Sequence, residues 1–155
     1  MTTTAFQLLN PQDALIIPLT LKSDVSSPVN GMAVKYSSGY AIATTDHVST
    51  GILCEIAQTT VTPYLLFTRT DANDLTEWLG KSVGVLVKGI VRLPIAKVTG
   101  SVVPGAKVET VSGGTFAVTA ATVGVGTILD ESVVDQYGTE CIDIAFDFTS
   151  GAVPT

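Results

Sequence analysis

Charged residues are scarce in this chain. Asp, Glu, Lys and Arg together make up 14% of its 155 residues, whereas about 25% is usual for a soluble domain. The eight basic residues are scattered, and the formal net charge is −6. Binding to nucleic acid or to an anionic membrane surface needs clustered Lys and Arg, so the composition argues against both partners. A surface with so little charge is expected to be rich in Ser and Thr or to lie against another protein.

Long apolar runs and cysteine pairs with metal-site spacing are also missing. No segment approaches 18 unbroken apolar residues, which argues against a transmembrane helix. Met1–Thr4 lacks the basic start of a signal peptide, so we expect synthesis in the cytoplasm without export. The two cysteines, Cys54 and Cys141, lie far apart in the sequence. Buried free thiols are therefore the favoured expectation, and a disulfide is the alternative.

The single histidine limits the available catalytic chemistry. His47 lies in a Thr- and Ser-rich turn, and a Ser-His-Asp mechanism would have to use it as the base. Gly80–Gly84 matches the G-x-S-x-G pattern, but a nucleophile elbow follows a strand and precedes a helix, and here the predicted order is reversed. His47, Cys54 and Cys141 contain no closely spaced pair of metal ligands. We expect no enzymatic activity, no cofactor and no metal site.

The chain contains a weak internal repeat. Apolar positions, turn glycines and spacing in residues 14–53 return in residues 88–129, although few residues are identical. A repeat without matching reactive residues indicates a structural scaffold. The corresponding segments are Ala14–Leu21 and Lys88–Ile95, Pro28–Val34 and Val102–Val108, Ser38–Ala43 and Ser112–Thr119, and Ser49–Leu53 and Val125–Leu129.

Short runs rich in β-formers, separated by glycine turns, predict an all-β fold. The expected architecture is a compact β-barrel or β-sandwich-like domain spanning residues 14–148. It would be built from two related modules, about 14–57 and 88–148, which form either one barrel or two lobes. An N-terminal arm (1–13) and a C-terminal tail (149–155) flank this domain.

One segment breaks the β pattern and predicts a short helix over residues 71–79. Asp71 or Asp74 can cap its N-terminus, and Gly80 can end it in a left-handed conformation. Three apolar side chains share one face at helical spacing and are expected to pack on the β core. They are Leu75, Trp78 and Leu79.

The second module carries glycine and apolar spacings that are similar to those of a known family. The segments that carry them are Val87–Pro94, Pro104–Val108, Gly113–Gly114, Val125–Leu129 and Cys141–Phe146. This order resembles the small capsid decoration (cement) proteins of tailed bacteriophages. The resemblance covers about residues 83–148 and implies a non-enzymatic virion protein on the outside of the expanded head. Such proteins commonly form homotrimers that lock neighbouring major capsid protein subunits together.

Three apolar residues of the N-terminal arm, Phe6, Leu8 and Leu9, are the expected capsid contacts; the alternative is that they dock on the chain's own core. Two other functional classes remain open. One is a different phage structural protein, such as a tail-tube or baseplate subunit. The other is a small carbohydrate- or ligand-binding β domain, in which aromatic side chains would offer stacking surfaces. The aromatic residues considered are Trp78, Tyr36, Tyr40, Tyr64 and Tyr137.

Overall fold

The computed structural model describes residues 6–10, 12–44, 49–54, 75–111, 113–120, 124–134, 138 and 140–148. These residues form one mixed β-sheet of eleven strands and two short 3₁₀ turns, so the predicted all-β class is confirmed. The strands are β1 (Gln7–Leu8), β2 (Leu15–Leu21), β3 (Ala33–Ser37), β4 (Tyr40–Ala43), β5 (Gly51–Leu53), β6 (Ser82–Pro94), β7 (Val98–Thr99), β8 (Lys107–Thr110), β9 (Phe116–Thr119), β10 (Gly126–Val134) and β11 (Glu140–Asp147).

Five strands from the first part of the chain, β2 to β6, pair with one another in a closed circuit. Strand β2 pairs in parallel with β4, and β4–β3, β3–β5, β5–β6 and β6–β2 are antiparallel. The circuit closes at Val85 and Leu86 of β6, since Leu86 lies between Ile16 and Ile52 in the pairing. We call this group the first circuit.

The second half of the chain repeats this strand order. Strand β7 pairs in parallel with β9, and β9–β8, β8–β10 and β10–β11 are antiparallel. Strand β11 then pairs antiparallel with the C-terminal half of β6, which continues through a 3₁₀ turn at Ile95–Lys97 into β7. We call this group the second circuit. The thirteen-residue β6 is therefore shared, ending the first circuit and beginning the second.

Equivalent backbone hydrogen bonds recur in the two circuits, at spacings that differ by one residue (31 to 53 and 105 to 128). The N–H of Gly31 donates to the carbonyl of Leu53 at 2.8 Å, and the N–H of Gly105 donates to that of Ile128 at 2.7 Å. Both glycines have a positive φ, 92° and 89°, a backbone conformation that residues with a Cβ rarely adopt. The sequence comparison placed Leu129 opposite Leu53 in the repeat. The structure places Ile128 there, which agrees with the sequence comparison to within one residue.

Side chains of β6 fill two neighbouring cores. Alternate residues of a strand share a face, so the side chains at positions 83, 85, 87, 91 and 93 lie on one face of β6. Val83 and Val85 belong to the first core. Val87, Val91 and Leu93 belong to the second core. Members of the first core include Leu21, Val34, Ala41 and Leu53. Members of the second include Phe116, Ile128, Ile144 and Phe146, and the Phe116 and Phe146 rings lie 4.9 Å apart.

The predicted helix is only a 3₁₀ turn at Thr76–Trp78 within the described residues. Its predicted N-caps, Asp71 and Asp74, lie outside them. Backbone bonds fix the turn at both ends, because the N–H of Leu75 donates to Pro28 and the N–H of Gly80 donates to Leu21. These anchors leave room for a single turn before β6 begins. The predicted packing of Leu75, Trp78 and Leu79 on the first core is confirmed.

Candidate functional site

The N-terminal segment that was expected to contact the capsid lies along β6. Strand β1 pairs Gln7 with Arg92 and Leu8 with Val91, and the Asn10 side chain accepts a hydrogen bond from the N–H of Ile90 at 2.8 Å. Two residues were too few for the sequence pattern to indicate this strand. Residues 6–10 are thus part of the chain's own sheet and not a free arm.

The three predicted contact residues differ in exposure. Phe6 is 5% exposed and belongs to the second core, against which Leu8 also packs. Burial of a Phe side chain stabilises a fold by about 2 kcal/mol, so its release to bind a neighbour would be costly. Leu9, at 39% exposed, is the member of the trio that presents a large apolar surface. Phe6 and Leu8 thus follow the alternative stated for them, docking on the chain's own core, and a capsid contact through this segment stays a prediction.

The two circuits meet along a seam formed by the β8–β9 hairpin and the first circuit. The carbonyl of Gly114, in the hairpin turn, accepts a hydrogen bond from the N–H of Ala33 at 2.9 Å. A Cβ at Gly114 would lie 2.5 Å from the Cγ of Met32, so only glycine permits this approach. The hydroxyls of Ser49 and Thr110 complete the seam with a buried hydrogen bond of 2.8 Å.

A small cleft opens at this seam. Its volume is about 150 Å³, and its lining includes Ser26, Ser27, Met32, Leu93, Lys97 and Thr115. Pockets for drug-sized ligands usually measure roughly 300–1,000 Å³, so the cleft is too small for an extended sugar or cofactor. Trp78, one of the five aromatic residues considered for stacking, packs on the first core instead. The cleft therefore gives little support to the ligand-binding alternative.

An ion pair crosses from β6 to β11. Arg92 donates from Nε to Asp143 Oδ1 at 2.7 Å and from one terminal nitrogen to Asp143 Oδ2 at 3.0 Å. The side chains are 24% and 13% exposed. The hydrogen bond with Asp143 raises the pKa of Arg92, and partial burial opposes this rise. Because the residues are direct cross-strand partners, the pair holds the register of the strand that joins the circuits.

Reactive side chains do not gather in the part of the chain that the structure describes. It contains no group of three or more His, Cys, Asp or Glu residues arranged to hold a metal ion. Cys54 and Cys141 are buried free thiols, which confirms the favoured expectation for them. His47, Tyr64 and Tyr137 lie outside the described residues. Among the described residues, no helix is long and apolar enough to cross a membrane.

Large apolar side chains on the surface are the remaining candidate for function. Their exposed fractions range from 39% for Leu9 to 56% for Tyr36. Tyr36 and Tyr40 stand on opposite sides of the β3–β4 turn, and the Lys22 ammonium lies 5.3 Å from the centre of the Tyr40 ring. The exposed set within the described residues is Leu9, Leu15, Tyr36, Tyr40, Val103 and Leu129.

Neither protein-family models nor curated protein sequences match this chain. The geometry of the chain itself therefore carries the functional argument. The fold brings hydrogen-bonding groups of the two circuits together at the seam and leaves large aromatic and aliphatic side chains exposed on the surface.

Proposed function

We propose that the protein is a non-enzymatic structural component of a tailed-phage virion. In this role it binds the outside of the capsid, bridges neighbouring major capsid protein subunits and stabilises the shell as a homotrimer. The observation that carries the proposal is a double β circuit with exposed apolar side chains and, in its described part, no grouped reactive residues. The spacing of glycine and apolar residues resembles that of capsid decoration proteins, and this resemblance implies the major capsid protein as the partner.

The mechanics of the fold suit this role. A decoration protein must resist deformation while the shell is under load, and the shared strand β6 ties both circuits into one sheet. A trimer presents three copies of each weak contact at once, so modest affinity per subunit gives strong attachment to the shell. The low content of charged residues, 14%, suits a protein that covers much of its surface with other proteins.

The proposal is tested with purified protein and heads of the phage that encodes it. Light scattering should give three times the chain mass of 16.1 kDa. The protein should co-sediment with expanded heads and not with unexpanded ones, which serve as the matched control because they contain the same capsid protein in another arrangement. A monomer that ignores both kinds of head would refute the proposal. Six-membered rings without head binding would instead identify a tail-tube subunit.

A further inference from the structure

Both circuits build the cleft at the seam. The loop after β2 contributes Ser26 and Ser27 from the first circuit. The second circuit contributes Thr115 from the β8–β9 turn and Lys97 from the 3₁₀ turn that follows β6. The exposed Gly113 leaves this side of the cleft open, because a Cβ added there would meet no atom within 4 Å. A cavity of about 150 Å³ can hold benzene, so the cleft admits a group of roughly six non-hydrogen atoms.

Lys97 carries the only charge among the described residues that line the cleft. It is half-buried, and within the described residues no hydrogen bond or ion pair engages its ammonium. Two other lysines do have partners, since Lys88 pairs with Asp147 and Lys107 donates a hydrogen bond to Thr127. A half-buried cation without a counter-ion favours the binding of an anion, because partial exclusion of water strengthens the attraction.

The rest of the lining suits a carboxylate on a short apolar stem. The hydroxyl groups of Ser26, Ser27 and Thr115 can donate hydrogen bonds to carboxylate oxygens. Met32 and Leu93 offer apolar contacts for the methylene groups of the stem. The described lining contains no Asp or Glu that would repel such a group. The net charge of −6 repels anions at long range, so the preference for an anion is local to the cleft.

The backbone is strained at one position in the lining. Ser27 has a φ of 48°, in the left-handed region that non-glycine residues rarely adopt. It precedes Pro28, and a residue before proline favours an extended conformation. The other non-glycine residue with positive φ in the described part, Ser38, lies in the two-residue β3–β4 turn, which favours such a φ. Ser27 lies in a bend outside any such hairpin, and strain of this kind clusters at ligand sites.

We infer that the seam cleft is a binding site for a carboxylate group on an apolar stem of roughly two or three carbon atoms. The Lys97 ammonium neutralises the carboxylate, the hydroxyl groups orient it, and Met32 and Leu93 cover the stem. A free aliphatic acid and a glutamate side chain of a partner protein share this chemistry. The site requires both circuits and is independent of the proposed capsid role.

Butanoate matches the size of the cleft and is the probe for this site. Titration followed by the amide NMR signals of residues 113–115 should show saturable binding, with a dissociation constant on the order of millimolar for so small a ligand. Butan-1-ol has the same carbon chain without the charge and should bind about tenfold more weakly.

Variants of two lysines separate the cleft from the overall charge. Lys97→Met should weaken butanoate binding by about tenfold, whereas Lys97→Arg, which keeps the charge, should retain it. Lys35→Met changes an equally half-buried lysine outside the cleft and should leave binding unchanged. The absence of a saturable shift with butanoate, or equal affinities for butanoate and butan-1-ol, would overturn the inference. So would equal losses in Lys97→Met and Lys35→Met, because net charge alone would then explain them.

Co-sedimentation of the same variants with phage heads distinguishes the two sources of the carboxylate. A loss of head binding in Lys97→Met but not in Lys35→Met assigns the carboxylate to the capsid protein. Unchanged head binding, together with the loss of butanoate binding, assigns it to a free acid. Unmodified protein that binds butanoate but ignores heads would refute the proposed function alone.

Discussion

A single buried hydrogen bond joins the hydroxyls of Ser49 and Thr110 across the seam between the circuits. The donor and acceptor lie 2.8 Å apart, and the residues are 3% and 1% exposed. Ser49→Ala would leave the Thr110 hydroxyl buried without its partner, which costs about 1–3 kcal/mol. Thr110→Val would do the same to Ser49 while preserving volume. For a chain of this length, 2 kcal/mol corresponds to a fall of roughly 4–8 °C in the unfolding midpoint.

The double variant distinguishes this mechanism from loss of packing. Removing both hydroxyls leaves no unsatisfied group, so the double variant should be destabilised less than either single one. Thermal and urea unfolding of all four proteins measure the coupling, with an unchanged urea slope as the check on two-state behaviour. Ser101→Ala, at an exposed position, should alter stability by less than about 0.5 kcal/mol. Single-variant losses that simply add in the double variant would refute the reasoning.

Two further predictions concern the shared strand and its neighbours. Arg92→Met should lower the free energy of unfolding by about 2 kcal/mol because it leaves the mostly buried Asp143 unpaired, whereas Lys88→Met, at the exposed 4.0 Å pair with Asp147, should cost under about 1 kcal/mol. Equal losses in urea denaturation would contradict this ranking. Gly51→Ala should destabilise the fold more than Gly126→Ala. A Cβ at position 51 would lie 2.4 Å from a backbone oxygen, whereas a Cβ at position 126 would first meet side chains, at 2.9 Å. A lower melting temperature for Gly126→Ala than for Gly51→Ala would refute the steric argument.

The strands with a clear local pattern were predictable. Runs rich in β-forming residues cover β2, most of β6 and β11, and each run extends over seven or more positions. The sequence pattern missed β1 and β7, which have two residues each and exist only because β6 and β9 lie beside them. In the described part of the predicted helix, residues 75–79, only a 3₁₀ turn forms, for a related reason. Tertiary hydrogen bonds at both ends of the turn outweigh a local preference for helix.

The candidate surface was predicted less well than the fold. The arm residues were expected to contact either a neighbouring protein or the chain's own core, and Phe6 does the second. It packs beside Gly31 and Leu93, where a Cβ added at position 31 would lie 2.8 Å from the Leu93 side chain and 3.1 Å from Phe6. Tyr36 and Tyr40 were noted for stacking on a ligand, with no indication of their place on one hairpin tip. The sequence alone does not indicate whether an apolar residue is buried by its own chain or by another protein.

The sequence by itself determined the β class, the internal repeat and the turn glycines, because these follow from alternation, spacing and local backbone geometry. Tertiary structure decided that the repeats share β6, that one hairpin docks in the seam, and that the tip of its counterpart stands exposed. The physical reason is that both hairpins satisfy the same local rules. Their burial depends on contacts between residues far apart in the chain, such as Ser49 with Thr110 and Ala33 with Gly114.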